Sequence, residues 1–327
     1  MQATESVPPV QEVKLSKPKA RQRAKRKRRR PLMQTDFLLM KKVWRWKLLS
    51  YPLASQMVFP KISRLGSYRK IRRLVKEGYL VEREVSRLGM DVIQLSKKGF
   101  DCIKYDMSEM RQLRFAAQSV DHDYITSAFH LGEFVHGVPK GVELLTEQQL
   151  QTVDTTLLPS WTPKSYEHIP DGYIHFEAGE MKKTIVIEVE LNYKSPLRYQ
   201  KMGHYFDMGH EKVDVVLWLC DRVALAQFIS DHLFHSKVRN FKVHNFFLLD
   251  TFRDRGWDAL SLAGGEKGKS IKEIYLANGY QSPTQSPVNP WSEKTKNIFF
   301  DLRKSPKSSK VCTKPVDEKA EHLYVYS

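Results

Sequence analysis

The sequence predicts a mixed α/β chain, with a small, strongly basic helical module ahead of a larger domain of alternating strands and helices. Three observations carry this expectation. Residues 35–78 place apolar side chains at helical spacing. From residue 142 onward, short apolar runs alternate with helical stretches, the order that builds a mixed sheet. The net charge of +17 is also unevenly spread. Residues 1–31 carry eleven Lys/Arg against two acids, residues 37–105 sixteen against five, and residues 106–280 nineteen against twenty-four.

A basic front and a mildly acidic middle suit a polyanionic partner, and nucleic acid ahead of an anionic membrane because no amphipathic anchor accompanies the charge. A chain of 327 residues, 41% hydrophobic, suffices for two folded domains or one domain with long tails. The three cysteines (Cys102, Cys220, Cys312) form no CxxC pair, which argues against a disulfide scaffold or structural zinc and for a reducing compartment. No run reaches 18 apolar residues, and the N-terminus lacks the apolar core of a secretory signal. The expected location is therefore the cytoplasm, with no membrane partner.

Taken in order, residues 1–34 read as a disordered basic arm, because like charges at this density repel unless a polyanion neutralises them. A first helix is expected from Thr35 to Leu49, with Phe37, Met40, Trp44 and Leu48 as its apolar stripe, broken by Tyr51-Pro52. A short helix, Leu53 to Phe59, ends at Pro60. The next begins near Gly66-Ser67, with Ser67 as cap, and stops at Gly78. Its inward side is Ile71, Leu74 and Val75. Tyr68, Arg69, Arg72, Arg73 and Lys76 are expected outside that face. Strands at Tyr79–Val81 and Asp91–Leu95, joined by a turn at 87–90, complete a ribbon, and a further helix opens at Ser96. Three helices followed by a two-stranded ribbon describe a winged helix-turn-helix over residues 35–105. Its basic third helix would enter the major groove of double-stranded DNA, and its wing at 82–91, carrying Arg87, would touch the backbone.

Residues 106–255 are expected to form the α/β domain. A helix or broken pair spans 106–136. Strands fall at Val142–Leu145, Tyr173–Phe176, Thr184–Leu191, Val213–Leu219 and Val243–Leu249, with helices at Pro196–Met208 and 223–235. Residues 256–327 read as loop and mostly disordered tail. The chemistry concentrates in KTIVIEVELNYKSPLRY, residues 183–199. After the apolar run Ile185–Ile187 the pattern alternates, so Glu188 and Glu190 share one side of a strand, about 6.6 Å apart. Asp171 offers a third carboxylate at the mouth of the neighbouring strand, and Lys194 follows within one turn. Buried carboxylates need partners, and a hard divalent cation is the usual one. The pattern therefore points to a metal-dependent phosphodiester site: Asp171, Glu188 and Glu190 on Mg2+ or Mn2+, and Lys194 near the reacting phosphate. Plainer readings stand beside it. Asp171 can cap its own turn, and Lys194 can simply pair with Glu190. The His204, Asp207 and His210 spacing reads as solvent-facing residues and a helix end rather than metal ligands.

The whole span 35–250 resembles the replication-relaxation family of bacterial and mobile-element proteins. The likeness rests on SYRKIRRLVKEGYL at 67–80, LSKKG at 95–99, His122-Asp123, Pro170-Asp171-Gly172, and EVELNYKS at 188–195 followed by Tyr199 and Tyr205. The resemblance implies a winged helix fused to a domain like the PD-(D/E)xK nuclease fold, a role in plasmid replication or mobilisation, and replication or mobilisation proteins as further partners. It also implies that His122 lines the nuclease-like cleft, and that a helical acid, with Glu133 as the candidate, completes the site. In that fold the site is an Asp, then an acid two positions before a Lys. Asp171 and Glu188 match, whereas the lysine position holds Glu190 and Lys194 approaches from the next helix. Three functions follow: a Mg-dependent DNA endonuclease, a non-catalytic DNA-binding replication or regulatory factor, and a protein-interaction module with a basic tail.

Overall fold

The computed structural model describes residues 30–107, 117, 119–163, 168–208, 213–235, 241–279 and 298–300. The basic arm before Arg30, residues Met110, Leu113 and Phe115 of the expected bridging helix, His210, and the tail from 280 apart from 298–300 lie outside them. Met1–Leu32 and Met33–Ser327 cluster as separate units, and every element below belongs to the second.

The basic module contains helices α1 (Gln34–Trp46), α2 (Tyr51–Val58) and α3 (Arg64–Lys76), strands β1 (Leu48–Ser50), β2 (Leu80–Val85) and β3 (Met90–Leu95), and helix α4 (Lys97–Ile103). Its strands form an antiparallel sheet in the order β1-β3-β2. The expected first helix stops three residues early. Lys47 takes a positive φ of 60°, and Leu48–Ser50 then pairs with Val92–Gln94 of β3. The apolar residues read as the last helical turn are instead the third strand of the sheet, where ladder hydrogen bonds replace helical ones. Tyr51-Pro52 does not break a helix but opens α2, since Ser50 Oγ caps the Leu53 amide and proline is tolerated in a first turn. Likewise α3 starts at Arg64 under a Ser63 cap, and Ser67 lies buried inside it, bonded to Ser55 Oγ at 2.5 Å.

The second region begins with α5 (Val120–Leu131), which ends in a 3-10 turn at Gly132–His136. There follow β4 (Val142–Thr146), α6 (Glu147–Thr152), β5 (Gly172–Ala178), β6 (Met181–Glu190), α7 (Pro196–Met208), β7 (Val215–Cys220), α8 (Val223–His235), β8 (His244–Leu248), α9 (Leu249–Arg255), β9 (Ala263–Gly264) and α10 (Ile271–Ala277). Among the described residues the strands make one six-stranded sheet in the order β4-β5-β6-β7-β8-β9. β6, β7 and β8 run parallel and the other neighbours antiparallel. α7 and α8 are the crossovers that parallel pairing requires. They cover one face through a core of Val186, Tyr199, Met202, Phe206, Trp218, Leu225, Ile229 and Phe246. α5 covers the other, where Phe129 meets Phe247 and Phe252 at 6.3 and 5.2 Å. Of the short elements, β9 and α10 fall in the stretch expected as loop and tail, α6 follows an expected strand, and α9 begins at Leu249, expected as the last residue of a strand. α6 carries its own signal, a capping box between Thr146 and Gln149. No helix among the described residues is long and apolar enough to cross a membrane.

Candidate functional site

The antiparallel register of β5 on β6 assembles the site. Gly172 pairs with Ile187, so Asp171 stands opposite Glu188 where β5 begins. Glycine is required there, because a Cβ on residue 172 would lie 2.3 Å from the His130 ring. Asp171 Oδ2 accepts the Val189 amide at 2.7 Å, so it caps the neighbouring strand rather than its own turn. Period-2 alternation puts Val186, Glu188 and Glu190 on the face covered by α7. Glu188 is 3% and Glu190 1% exposed.

Each of the three carboxylates has a basic partner. His168 Nε2 donates to Glu188 at 2.6 Å, and Lys194 Nζ donates to Glu190 at 2.6 Å. His122, on the first turn of α5, donates through Nε2 to the Val189 carbonyl at 3.0 Å and lies 3.5 Å from Asp171 Oδ2. The pairing of Lys194 with Glu190 is therefore the geometry present. Behind Asp171 lies a small recess lined by Lys47, Asp123, Thr126, His130, Glu147 and Asp171, among others. Lys47 Nζ bridges Asp123 at 3.0 Å and Glu147 at 2.6 Å, and Asp123 lies 3.8 Å from His122 Nδ1. A buried chain of charges thus runs from the end of α1 to the Asp171–Glu188 edge.

The charges shift one another. Burial pushes the Glu190 carboxyl up, and Lys194 only partly restores it, leaving it at about 7. Burial likewise raises Glu188 against the pull of His168. For His122 burial disfavours the cation, but Asp171 and Asp123 outweigh it and push the imidazole up to about 11. The imidazole of His168 is raised too: burial opposes its charge and the Glu188 carboxylate prevails. Asp171 stays below the usual carboxylate range, since His122 and the Val189 amide overcome its burial. Five carboxylates (Asp123, Glu147, Asp171, Glu188, Glu190) thus meet four basic partners (Lys47, His122, His168, Lys194).

Three of these groups escaped the sequence reading. His168 lies just before β5, Lys47 follows α1 in the basic module, and Glu147 sits on the short helix α6. The helical acid expected at Glu133 is not at the site. It lies in the 3-10 turn, 3.3 Å from Lys272. The chain turns away at Gly132, where a side chain would collide with Trp257. His204 is exposed, as expected. Among the described residues no three His, Cys, Asp or Glu side chains converge as a ready metal site.

The six residues expected to meet DNA separate into two groups. Arg69, Arg72 and Lys76 are exposed on α3. Tyr68, expected outside, is only 6% exposed and packs edge-on to Tyr51 at 5.3 Å. Arg73 faces inward to Asp36 and Glu77, binding α3 to α1. Arg87 does not project from the β2–β3 turn toward solvent. Its guanidinium reaches Asp221 at 2.6 Å, Asn192 Oδ1 at 3.2 Å and the Leu191 carbonyl at 3.3 Å, and its amide donates to Asp121. Asp36 on α1 and Glu77 at the end of α3 hold Arg73, and Asp221 at the end of β7 holds Arg87. Comparison with protein-family models, curated proteins and solved structures found no match to this chain.

Proposed function

We propose that this chain is a DNA-binding protein of plasmid or mobile-element replication or mobilisation, whose first module acts as a winged helix and whose sheet carries a nuclease-like metal site. The observation that carries the reading is the placing of Asp171 opposite Glu188, with the Glu190–Lys194 pair two residues further along β6, beside the carboxyl ends of the parallel strands where open α/β sheets bind ligands. The exposed Arg69, Arg72 and Lys76 on α3 add a cationic face suited to phosphate. The order α1-β1-α2-α3-β2-β3 supports the winged-helix interpretation.

The donor set suits a hard divalent cation: Asp171, Glu188 and Glu190 would hold Mg2+ or Mn2+, which when bound supplies Lewis acidity toward water and phosphate. The surplus of carboxylates over basic groups in the cluster fits a cation. Accommodating it requires Glu188 to turn from His168, or Glu190 from Lys194. Lys194, once released from Glu190, would be free to pair with a phosphate oxygen, and His122 holds a positive charge beside Asp171. A second reading, a non-catalytic DNA-binding factor, is favoured by one specific observation: every site carboxylate already has a basic partner.

The test uses the full chain. Duplex binding by fluorescence anisotropy should weaken at least about tenfold in an Arg69→Glu/Arg72→Glu/Lys76→Glu variant, with a shallower salt slope. Unchanged binding would overturn the DNA reading. Supercoiled, linear and single-stranded DNA are then incubated with Mg2+ or Mn2+. Cleavage abolished by Glu188→Ala supports the nuclease reading, and intact substrates select the non-catalytic one.

A further inference from the structure

The edge where β6 and β7 end carries a feature that the carboxylate cluster does not use. The loop after β6 and the first turns of α7 and α8 expose three large apolar side chains: Tyr193 at 49%, Leu197 at 58% and Val223 at 53%. They stand where both parallel strands leave the sheet, which is also where Glu190 and Lys194 sit. Tyr193 is held in place. Its ring meets Phe228 edge-on at 5.2 Å, and the Arg222 guanidinium lies 5.6 Å over it while Arg222 Nε pairs with Asp221 at 3.4 Å. Arg198, exposed on the first turn of α7, adds charge of the same sign. Arg87 fixes the same loop from the β2–β3 turn through Asn192 and the Leu191 carbonyl.

A fixed, half-exposed aromatic ring with a guanidinium above it is the arrangement on which unstacked bases settle, with arginines tracking the backbone phosphates. Paired bases inside a duplex offer no free face to such a ring, so the feature selects unpaired nucleotides. An apolar protein partner would account for Leu197 and Val223, but not for the Arg222 guanidinium over the Tyr193 ring. Resting on the DNA-binding reading above, we infer that the Tyr193–Arg222 pair is a stacking subsite for single-stranded nucleic acid beside the Glu188–Glu190 edge. The preferred ligand is accordingly DNA with an unpaired segment, its duplex part held by α3 and its single strand crossing the sheet end.

The experiment compares three fluorescent probes on the full chain: a blunt duplex, a single-stranded oligonucleotide and a duplex with a single-stranded tail. Tyr193→Ala should weaken the single-stranded and tailed probes by about tenfold and leave the duplex unchanged. Tyr193→Phe, which keeps the ring, should bind all three as the native chain does. Unaltered tailed-probe binding by Tyr193→Ala, or equal loss on all three probes, overturns the subsite while native duplex binding keeps the DNA reading in place. Failure of the native chain to bind any probe overturns both.

Discussion

Glu190 departs furthest from ordinary carboxylate behaviour within the candidate site. Its carboxyl is pushed up to about 7 from 4.5 because burial outweighs Lys194. A carboxyl raised by folding favours the fold when protonated. Its contribution is therefore complete below about pH 4.5 and is lost as pH rises to about 7. For the native chain this loss is at most on the order of 3 kcal/mol between pH 4.5 and 8. Glu190→Gln should remove it, so urea denaturation should show the variant gaining on the native chain as pH rises. Parallel pH profiles would contradict the assigned environment. His122 follows the same sign at higher pH, losing its contribution between about 6.5 and 11, and does so in both chains. Period-2 spacing made the Glu188–Glu190 pair readable in advance. Their partners were not, since His168 is twenty residues upstream of the Glu188 it bonds and nothing local to either marks the pairing.

Helix α3 shows how a correct element can carry a misassigned residue. Tyr68 lies three residues before Ile71 and seven before Val75, on the stripe that spacing defines as inward. Its phenol and basic neighbours suggested the surface, but packing against Tyr51 prevailed. Tyr68→Ala should accordingly cost about 3–5 kcal/mol of stability by leaving a cavity, whereas Arg72→Ala should stay within about 0.5 kcal/mol. Denaturant midpoints for the two variants decide the matter, and equal midpoints would contradict this placement. β1 was missed for a different reason. Three residues are too few to show a period, and Leu48–Ser50 becomes a strand only because β3 supplies the partner edge.

Among the charged contacts of the described residues, two groups tie the basic module to the sheet region, beside the Arg45 hydrogen bond to the Leu144 carbonyl. Lys47 enters the buried cluster of Asp123 and Glu147, and Arg87 ties the β2–β3 turn to the ends of β6 and β7. The Arg87 contacts are partly solvated, so they orient more than they stabilise. Arg87→Ala should change global stability by under about 1 kcal/mol, yet speed amide exchange of the Arg87 amide and its turn. Unchanged exchange there would mean that the turn is held without the guanidinium. The Arg87 contacts set the β2–β3 turn against the sheet edge where Glu190, Lys194 and Tyr193 gather.

Local pattern was enough for the α/β class, for most strands of the large sheet, for α7 and α8, and for the two glutamates on one strand face, because periodicity and capping act over a few residues. Which cation neutralises which carboxylate, that Arg73 turns inward, that Arg87 bends onto the ends of β6 and β7, and that Lys47 reaches Glu147 a hundred positions away were settled by folding. Those pairings join segments distant in sequence, and their strength comes from shared burial, which no single segment possesses before the sheet and helices close around it.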